Sequence, residues 1–285
     1  MPVIIATTLG VLMVIGGQVI DANAVGATAD SAEELVRRES HALETILSAA
    51  VRAIGFLLLT VPLLSMFISA RDRSEEPIGR YRTLVAMGPP LLGLGTLLSG
   101  IGLAAAAKDF VAGAPTSGDA AIERADDVVA DVVLGQIGAG AVYAGLLATA
   151  FGLLYTARKS LQTGLVTSFW GTLGMAFGAA LGVSFLAPPL LPIGIFGFLV
   201  WLIHVTLLTS GRSRRPPAWD AGVALPWPKP GEQAVAPEPE EELARPEDFE
   251  GDEGEGSSGS GSTALSAQRP TRRDNKRKRK RKQRS

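Results

Sequence analysis

Six apolar stretches fill residues 2 to 209 of this chain and strongly limit what it can fold into. They cover approximately residues 2–20, 53–70, 84–107, 132–157, 164–186 and 188–209. A bilayer core of about 30 Å requires roughly 20 apolar residues in a helix. Helices also satisfy every backbone polar group internally, as the membrane demands. The sequence therefore predicts an all-α, polytopic membrane bundle of six transmembrane helices in residues 1–211.

The first stretch fits either a cleaved signal peptide or a permanent first span. Small residues such as Ala22 and Ala24 follow it, as they do at a cleavage site. However, no Lys or Arg precedes Arg37, and a signal peptide begins with a positive segment. We expect an uncleaved span.

Lys and Arg are concentrated in alternate connections between the stretches, which indicates an orientation. The rich connections hold Arg71, Arg73, Arg80, Arg82, Arg158, Lys159, Arg212, Arg214 and Arg215. Basic loops stay on the cytoplasmic side of a membrane. We therefore expect both termini in the cytoplasm.

The two remaining connections contain helical signals. Ser31 and Glu34 form a capping-box pattern, which predicts a helix that runs from Ser31 through Arg52 into the second span. Glu123, Asp127 and Asp131 are spaced by four, so a helix would place them on one face. They could bind a divalent cation through oxygen ligands, but ordinary solvation and Arg124 explain them as well, and we favour that interpretation.

Small residues recur every fourth position in the fourth and fifth stretches. They are Gly140, Ala144, Ala148 and Gly152 in the fourth, and Gly174, Gly178 and Gly182 in the fifth. Small residues on one helix face let backbones approach closely. Because a short turn joins these stretches, we predict that they are antiparallel and form the tightest pair of the bundle. The glycines could instead form a hinge or a homodimer contact.

Few side chains in the apolar stretches could carry chemistry. His204 is the one side chain among them of a type whose ordinary pKa lies near neutral, and Tyr143 and Gln136 are the other notable polar groups. A buried histidine can relay protons, but a relay needs a charged partner at depth. Two interpretations are open: these residues form a polar path through the bundle, or His204 only forms a hydrogen bond with a backbone carbonyl. We favour the hydrogen bond. Trp170, Trp201 and Trp219 fit interfacial anchors.

The chain carries little sign of catalysis. It has no cysteine and two histidines, too few for a thiolate or histidine-rich metal site. Phosphate-binding loops, zinc-protease helices and nucleophile elbows do not occur in it. We predict a non-enzymatic protein without a metal or cofactor. Pro62, Pro89 and Pro90 could line a substrate cavity, as in transporters with broken helices, although a structural role is the simpler explanation.

Residues 212–285 have a different composition and are predicted to form a disordered cytoplasmic tail. A Pro/Trp segment (216–231) precedes an acidic block (232–255) with eleven Asp or Glu against Arg245. A Gly/Ser linker (256–268) leads to a basic block (269–284) with eleven Lys or Arg against Asp274. The basic block includes Arg272, Arg273, Lys276, Arg277, Lys278, Arg279, Lys280, Arg281 and Lys282.

The basic block should bind polyanions. Each cation near an anionic membrane contributes about 1 kcal/mol, and RNA or a ribosome would attract the same residues by counterion release. A solvated tail without a partner is the alternative. No aromatic residue follows Phe249, so base stacking cannot give such a contact sequence specificity.

One part of the chain resembles a known group of proteins. Gly152, Tyr155, Arg158 and Lys159, followed by Phe169, Trp170, Gly171 and Gly174, resemble a helix–turn–helix of uncharacterised six-span bacterial membrane proteins, especially from high-GC actinobacteria. The resemblance covers about spans four to six. It implies a six-helix bundle in a bacterial plasma membrane and no catalytic or binding residue.

These observations predict a non-enzymatic membrane protein whose polyampholyte tail contacts anionic lipid or cytoplasmic partners. Two alternatives stay open: a small-solute transporter or channel, and a ribosome- or RNA-tethering protein of the insertase type.

Overall fold

The structure, a computed structural model, describes residues 1–26, 28, 30–74, 81–225 and 227. These residues belong to one compact unit, Met1–Ala234. Its helices are α1 (Pro2–Val25), α2 (Ser31–Ser40), α3 (Ala42–Asp72), α4 (Arg82–Ala112), α5 (Asp119–Asp131), α6 (Val133–Gln162), α7 (Ser168–Val183), α8 (Leu190–Thr209) and α9 (Pro217–Ala221). The described part of the chain contains no β-strand, and the predicted all-α fold is confirmed.

Five helices are long and apolar enough to cross a membrane, namely α1, α3, α4, α6 and α8. The protein is therefore an integral, multi-pass membrane protein. The fifth apolar stretch forms the shorter helix α7, whose 16 residues extend on the order of 24 Å. It starts where the Thr167 side chain accepts a hydrogen bond from the Trp170 amide. It ends ahead of Pro188 and Pro189, and proline disfavours helix in the residue before it.

The six apolar helices form a ring in which successive neighbours pack together. The order around the ring is α1, α3, α4, α6, α7 and α8, after which α8 returns to α1. Because these helices alternate in direction, one end of the bundle carries α2 and α5 and is called the cap end. The other end carries α9 and is called the strap end.

At the cap end, residues 31 to 52 do not form the continuous helix that we predicted. The backbone leaves helical geometry at His41, with φ −124° and ψ 37°, so that α2 is separate from α3. This break lets Ala32 and Leu35 pack with Phe110 of α4 and with α5. The predicted cap residue was also wrong by one position. Asp30 is the N-cap, and its carboxylate accepts a hydrogen bond from the Glu33 amide at 2.8 Å.

The most extensive helix interface joins α4 to α6, whereas we predicted that spans four and five, now α6 and α7, would be the tightest pair. Glycines repeat every seven residues on both helices of this interface, at 88, 95 and 102 on α4 and at 138, 145 and 152 on α6. A Cβ atom added at Gly145 would lie 2.6 Å from the Leu92 Cα, and one at Gly102 would lie 2.6 Å from the Gly135 Cα. Backbone contact of this kind requires glycine.

Glycine also mediates the approach at four other neighbouring pairs. Gly10 and Gly55 bring α1 against α3, while Gly93 lies on the Ala53 carbonyl between α3 and α4. Gly178 contacts α6, and Gly194 brings α8 against α7. Within the described residues the pair α8 and α1 lacks such a contact. We call this junction the seam. The Thr7 and Thr206 hydroxyls, 2.7 Å apart, are hydrogen-bonded across it.

The strap end includes residues of the segment that we predicted to be a disordered tail. Residues 216–225 and 227, which we call the strap, fold back onto the turn between α6 and α7 instead of leaving the bundle. The indole N–H of Trp219 donates to the Leu165 carbonyl at 2.8 Å, and that of Trp227 donates to the Val166 carbonyl at 2.7 Å. Gly164 fits under the strap with a φ of +73°, a conformation that favours glycine.

Candidate functional site

A cavity of ≈ 520 Å³ lies along the cap-end half of the seam. α1 and α8 form its sides, and α3, α4 and α6 form its back wall. Most of the lining is apolar and includes Val14, Phe56, Leu92, Leu146 and Leu199. This volume is in the range of small-molecule sites, which extends from about 300 to 1,000 Å³. We call it the seam cavity.

The rim of the seam cavity consists of side chains that are exposed on the outside of the bundle. Ile15, Val19 and Phe196 all line the cavity, and all are exposed. On helices that cross a membrane, exposed apolar side chains face lipid. The cavity therefore opens sideways toward the hydrocarbon region.

The cavity extends along part of one leaflet of a bilayer. Its lining on α8 runs from Leu191 to Leu199, nine residues that extend on the order of 12 Å along the helix, and on α1 it runs from Val14 to Val19, on the order of 8 Å. Half of a bilayer core is about 15 Å. An extended apolar chain that entered from the cap end would thus find walls on several helices over about half of one leaflet.

Arg52 is the one charged residue that lines the cavity. It directly precedes the apolar stretch 53–70, which places it at the cap-end mouth. Its Nη1 donates to the Gln18 side-chain oxygen at 3.3 Å, and its Nε donates to the Ser48 carbonyl at 3.4 Å. Among the described residues it forms no salt bridge. The half-buried guanidinium therefore carries a positive charge without a bonded carboxylate.

The nearest acidic group of α1 is already engaged by another arginine. Asp21 accepts a hydrogen bond from Arg38 at 2.9 Å, and Arg38 also donates to Glu34 at 2.8 Å. Burial disfavours the charged form of Arg38, but its hydrogen bonds with the two carboxylates outweigh burial and raise the pKa of the guanidinium. Asp21 is thereby held in an ion pair with Arg38; it attracts Arg52 electrostatically but forms no salt bridge with it.

A smaller groove of ≈ 250 Å³ follows the strap-end half of the seam. Thr7 and Thr206 contribute to its lining, together with Ile4 and Leu207, and Arg212 stands at its end. Both halves of the seam therefore pair apolar walls with an arginine at the membrane boundary.

The three residues of the polar path, the alternative that we did not favour, do not come together. His204 stacks on Trp170, with ring centroids 3.8 Å apart, and the structure gives its buried Nε2 no hydrogen-bond partner. Tyr143 is exposed on α6 and contacts Phe185, and Gln136 is exposed and donates to the Ala130 carbonyl. None of the three lines the seam cavity.

The predicted packing residues fall into two groups. Gly140 and Ala144 are exposed, and a Cβ at Gly140 would meet nothing within 4 Å. Ala148 and Gly152 are buried on α6, and on α7 Gly174 and Gly178 are buried while Gly182 is half-buried. A Cβ at Gly178 would lie 3.0 Å from the Leu154 amide nitrogen, so the α7 stripe faces α6.

Other predicted features have simpler surroundings. Glu123, Asp127 and Asp131 are exposed on α5, and the described residues contain no cluster of three or more acidic or histidine side chains that could hold a metal ion. Trp201 was predicted as an interfacial anchor, but it is fully buried and its indole N–H donates to the Trp170 carbonyl. Pro62 and Pro89 are buried inside helices and do not line the seam cavity. The acidic and basic blocks, including Arg272, Arg273 and Lys276–Lys282, lie outside the described residues.

Sequence reasoning missed Arg52 and Gln18 as members of a site. The available signal was that each lies at the cap-end edge of an apolar stretch, Gln18 within the first and Arg52 just before the second. The chain matches no protein-family model, no curated protein and no solved structure.

Proposed function

We propose that this is a non-enzymatic membrane protein that accommodates the hydrocarbon chain of a membrane amphiphile in the seam cavity. The observation that carries the proposal is an apolar cavity that reaches into one leaflet and opens toward lipid at the junction that glycine contacts do not close. Hydrocarbon is the chemistry that such walls favour. A small-solute transporter or channel is less well supported, because few polar side chains line the cavity.

A photoactivatable lipid tests this proposal. The full-length protein in liposomes is illuminated in the presence of a lipid with a diazirine in its acyl chain, and the labelled residues are mapped by mass spectrometry. We expect labels on cavity residues such as Leu146 and Leu199. Ile195→Trp should fill the cavity and remove them.

The matched control is Ile193→Trp, which adds the same ring to the same helix at an exposed position outside the cavity. It should leave the labelling unchanged. If the wild-type cavity takes up no label while the outer surfaces of the helices do, the proposal is wrong.

The orientation proposed for the protein places the strap end in the cytoplasm of a bacterium. The support is the distribution of basic residues, since Arg71, Arg73, Arg158, Lys159 and Arg212 all lie toward that end in the alternating helices. Basic residues near the ends of spans are retained inside. Labelling of single cysteines in cells, at positions 74 and 118, would test this; modification of the first from outside would reverse the orientation.

A second proposed activity belongs to the charged tail and rests on the sequence. The basic block would attach to anionic lipid or to a cytoplasmic polyanion such as a ribosome. Residues 210–285 should co-sediment with anionic vesicles and lose that binding in about 0.5 M salt, because salt screens exposed charges. Ribosome co-purification that depends on the tail would favour the tethering alternative.

A further inference from the structure

We propose that the ligand of the seam cavity is a phospholipid with a net negative head group, taken from the cap-end leaflet, and that Arg52 binds its phosphate. This inference rests on the proposed function and adds the identity of the head group. It concerns a part of the molecule remote in sequence from the basic tail.

The first support is the position of Arg52 relative to the apolar walls. The guanidinium lies at the mouth, next to Gln18, while Phe56 and Leu146 lie farther inside. A phospholipid has the same order of groups along its length, with a phosphate at the interface and hydrocarbon below it. One lipid can therefore contact Arg52 and the apolar walls together.

The second support is the unmatched charge. A half-buried cation among apolar side chains is costly unless an anion accompanies it. The described residues supply Arg52 with one side-chain oxygen, from Gln18, and a carbonyl, but no carboxylate within salt-bridge distance. The planar fork of a guanidinium fits two phosphate oxygens, and a lipid head group would supply the missing anion.

The third support is the arrangement that keeps Asp21 out of a direct ion pair with Arg52. Arg38, with a side chain only 10% exposed, and Asp21, with one 16% exposed, form an ion pair at 2.9 Å. Ser48 also donates to Asp21, at 3.4 Å. Because these partners hold the carboxylate, Arg52 stays available for an external anion.

A net negative head group is favoured over a zwitterionic one for a related reason. The cap-end mouth contributes one cation and the amide of Gln18, and the described residues give it no free carboxylate that could bind a choline or ethanolamine group. Phosphatidylglycerol presents the phosphate without a compensating ammonium. It should therefore bind more tightly than phosphatidylcholine.

The experiment compares diazirine-labelled phosphatidylglycerol and phosphatidylcholine with identical acyl chains, using the full-length protein in liposomes. Counting only labels on cavity residues excludes lipid that is bound to the tail. In the wild type, phosphatidylglycerol should label the cavity about tenfold more than phosphatidylcholine, because both lipids offer Arg52 a phosphate but the choline cation also repels the guanidinium. Arg52→Gln should remove this preference, and Arg52→Lys should keep part of it.

The matched control is Arg214→Gln, which removes one exposed cation at the strap end and should leave the preference unchanged. Equal labelling by both lipids, unaffected by Arg52→Gln, would overturn the head-group assignment and leave the proposed function standing. Failure of both lipids to label the wild-type cavity would overturn the proposed function itself.

Discussion

Thr7 on the first membrane helix and Thr206 on the last are joined by a hydrogen bond of 2.7 Å. The Thr7 hydroxyl also donates to the Val3 carbonyl at 2.8 Å. Since a hydroxyl has one proton, Thr206 is the donor across the seam. Hydrogen bonds between membrane helices contribute about 0.6 kcal/mol on average. The ring is thus closed more weakly here than at the neighbouring pairs with backbone contact, and this weak junction also borders the cavity.

The first prediction tests the closure of the ring. Cysteines that replace Thr7 and Thr206 should form a disulfide under mild oxidation, because their sulfur atoms would occupy the positions of the bonded oxygens. The sequence contains no cysteine. Alkylation followed by intact mass measurement therefore reports only the disulfide between the two introduced cysteines. Leu9→Cys with Thr206→Cys is the control, since Leu9 is 47% exposed. Equal oxidation of both cysteine pairs would contradict the direct contact between Thr7 and Thr206.

A second prediction compares two glycines of α6. Gly145→Ala should destabilise the protein by about 1–3 kcal/mol, because the new methyl group overpacks the contact with Leu92. Gly140→Ala should be neutral or stabilise by up to about 1 kcal/mol, since it has open space and alanine is the better helix former. Thermal unfolding in detergent measures the stability of both variants. A more stable Gly145→Ala than Gly140→Ala would show that the Gly145 face of α6 does not pack against α4.

This pair of glycines shows what could be predicted from the sequence and what could not. The apolar stretches identified every membrane helix, because length and hydropathy are local properties. Which face of α6 packs against its neighbours is not a local property, since small residues lie on several of its faces. The choice between the face of Gly140 and that of Gly145 depends on the partner helix. A seven-residue glycine spacing shared by α4 and α6 was the signal, because complementary spacing indicates a common interface.

The candidate site was harder to predict for a similar reason. Considered alone, Arg52 is a helix residue next to an apolar stretch, and nothing in its local sequence indicates a site. Its role depends on α8 lying beside α1, and these helices are far apart in sequence. It also depends on Arg38, which is placed over Asp21 by the break at His41. None of these relationships follows from hydropathy or charge counts.

A third prediction concerns the ion pair at the cap end. Arg38→Met should destabilise the protein by about 2–3 kcal/mol, because the Asp21 carboxylate, 16% exposed, would lose the cation that it bonds. Adding Asp21→Asn should restore part of the loss. Arg37→Met is the control. Its ion pair with Glu33 is more exposed, with side chains 41% and 39% exposed, so its loss should reduce the stability less. Unfolding in detergent provides the comparison, and additive losses in the double variant would contradict the coupling.

The last prediction addresses the strap. Trp219 donates to the Leu165 carbonyl, and its ring lies 5.6 Å from the guanidinium carbon of Arg73 and 5.8 Å from that of Arg215. Trp219→Phe should lose the hydrogen bond, about 1 kcal/mol, and keep most of the ring contact. Trp219→Ala should lose both.

Hydrogen exchange of the amides in residues 163–167 should therefore increase slightly in the phenylalanine variant and strongly in the alanine variant. Val223→Ala, which alters an exposed side chain of the strap, should leave this exchange as it is in the wild type. Because Trp219 bonds the turn between α6 and α7 directly, release of the strap should be seen there first. Unchanged exchange in Trp219→Ala would show that the strap does not stabilise the turn.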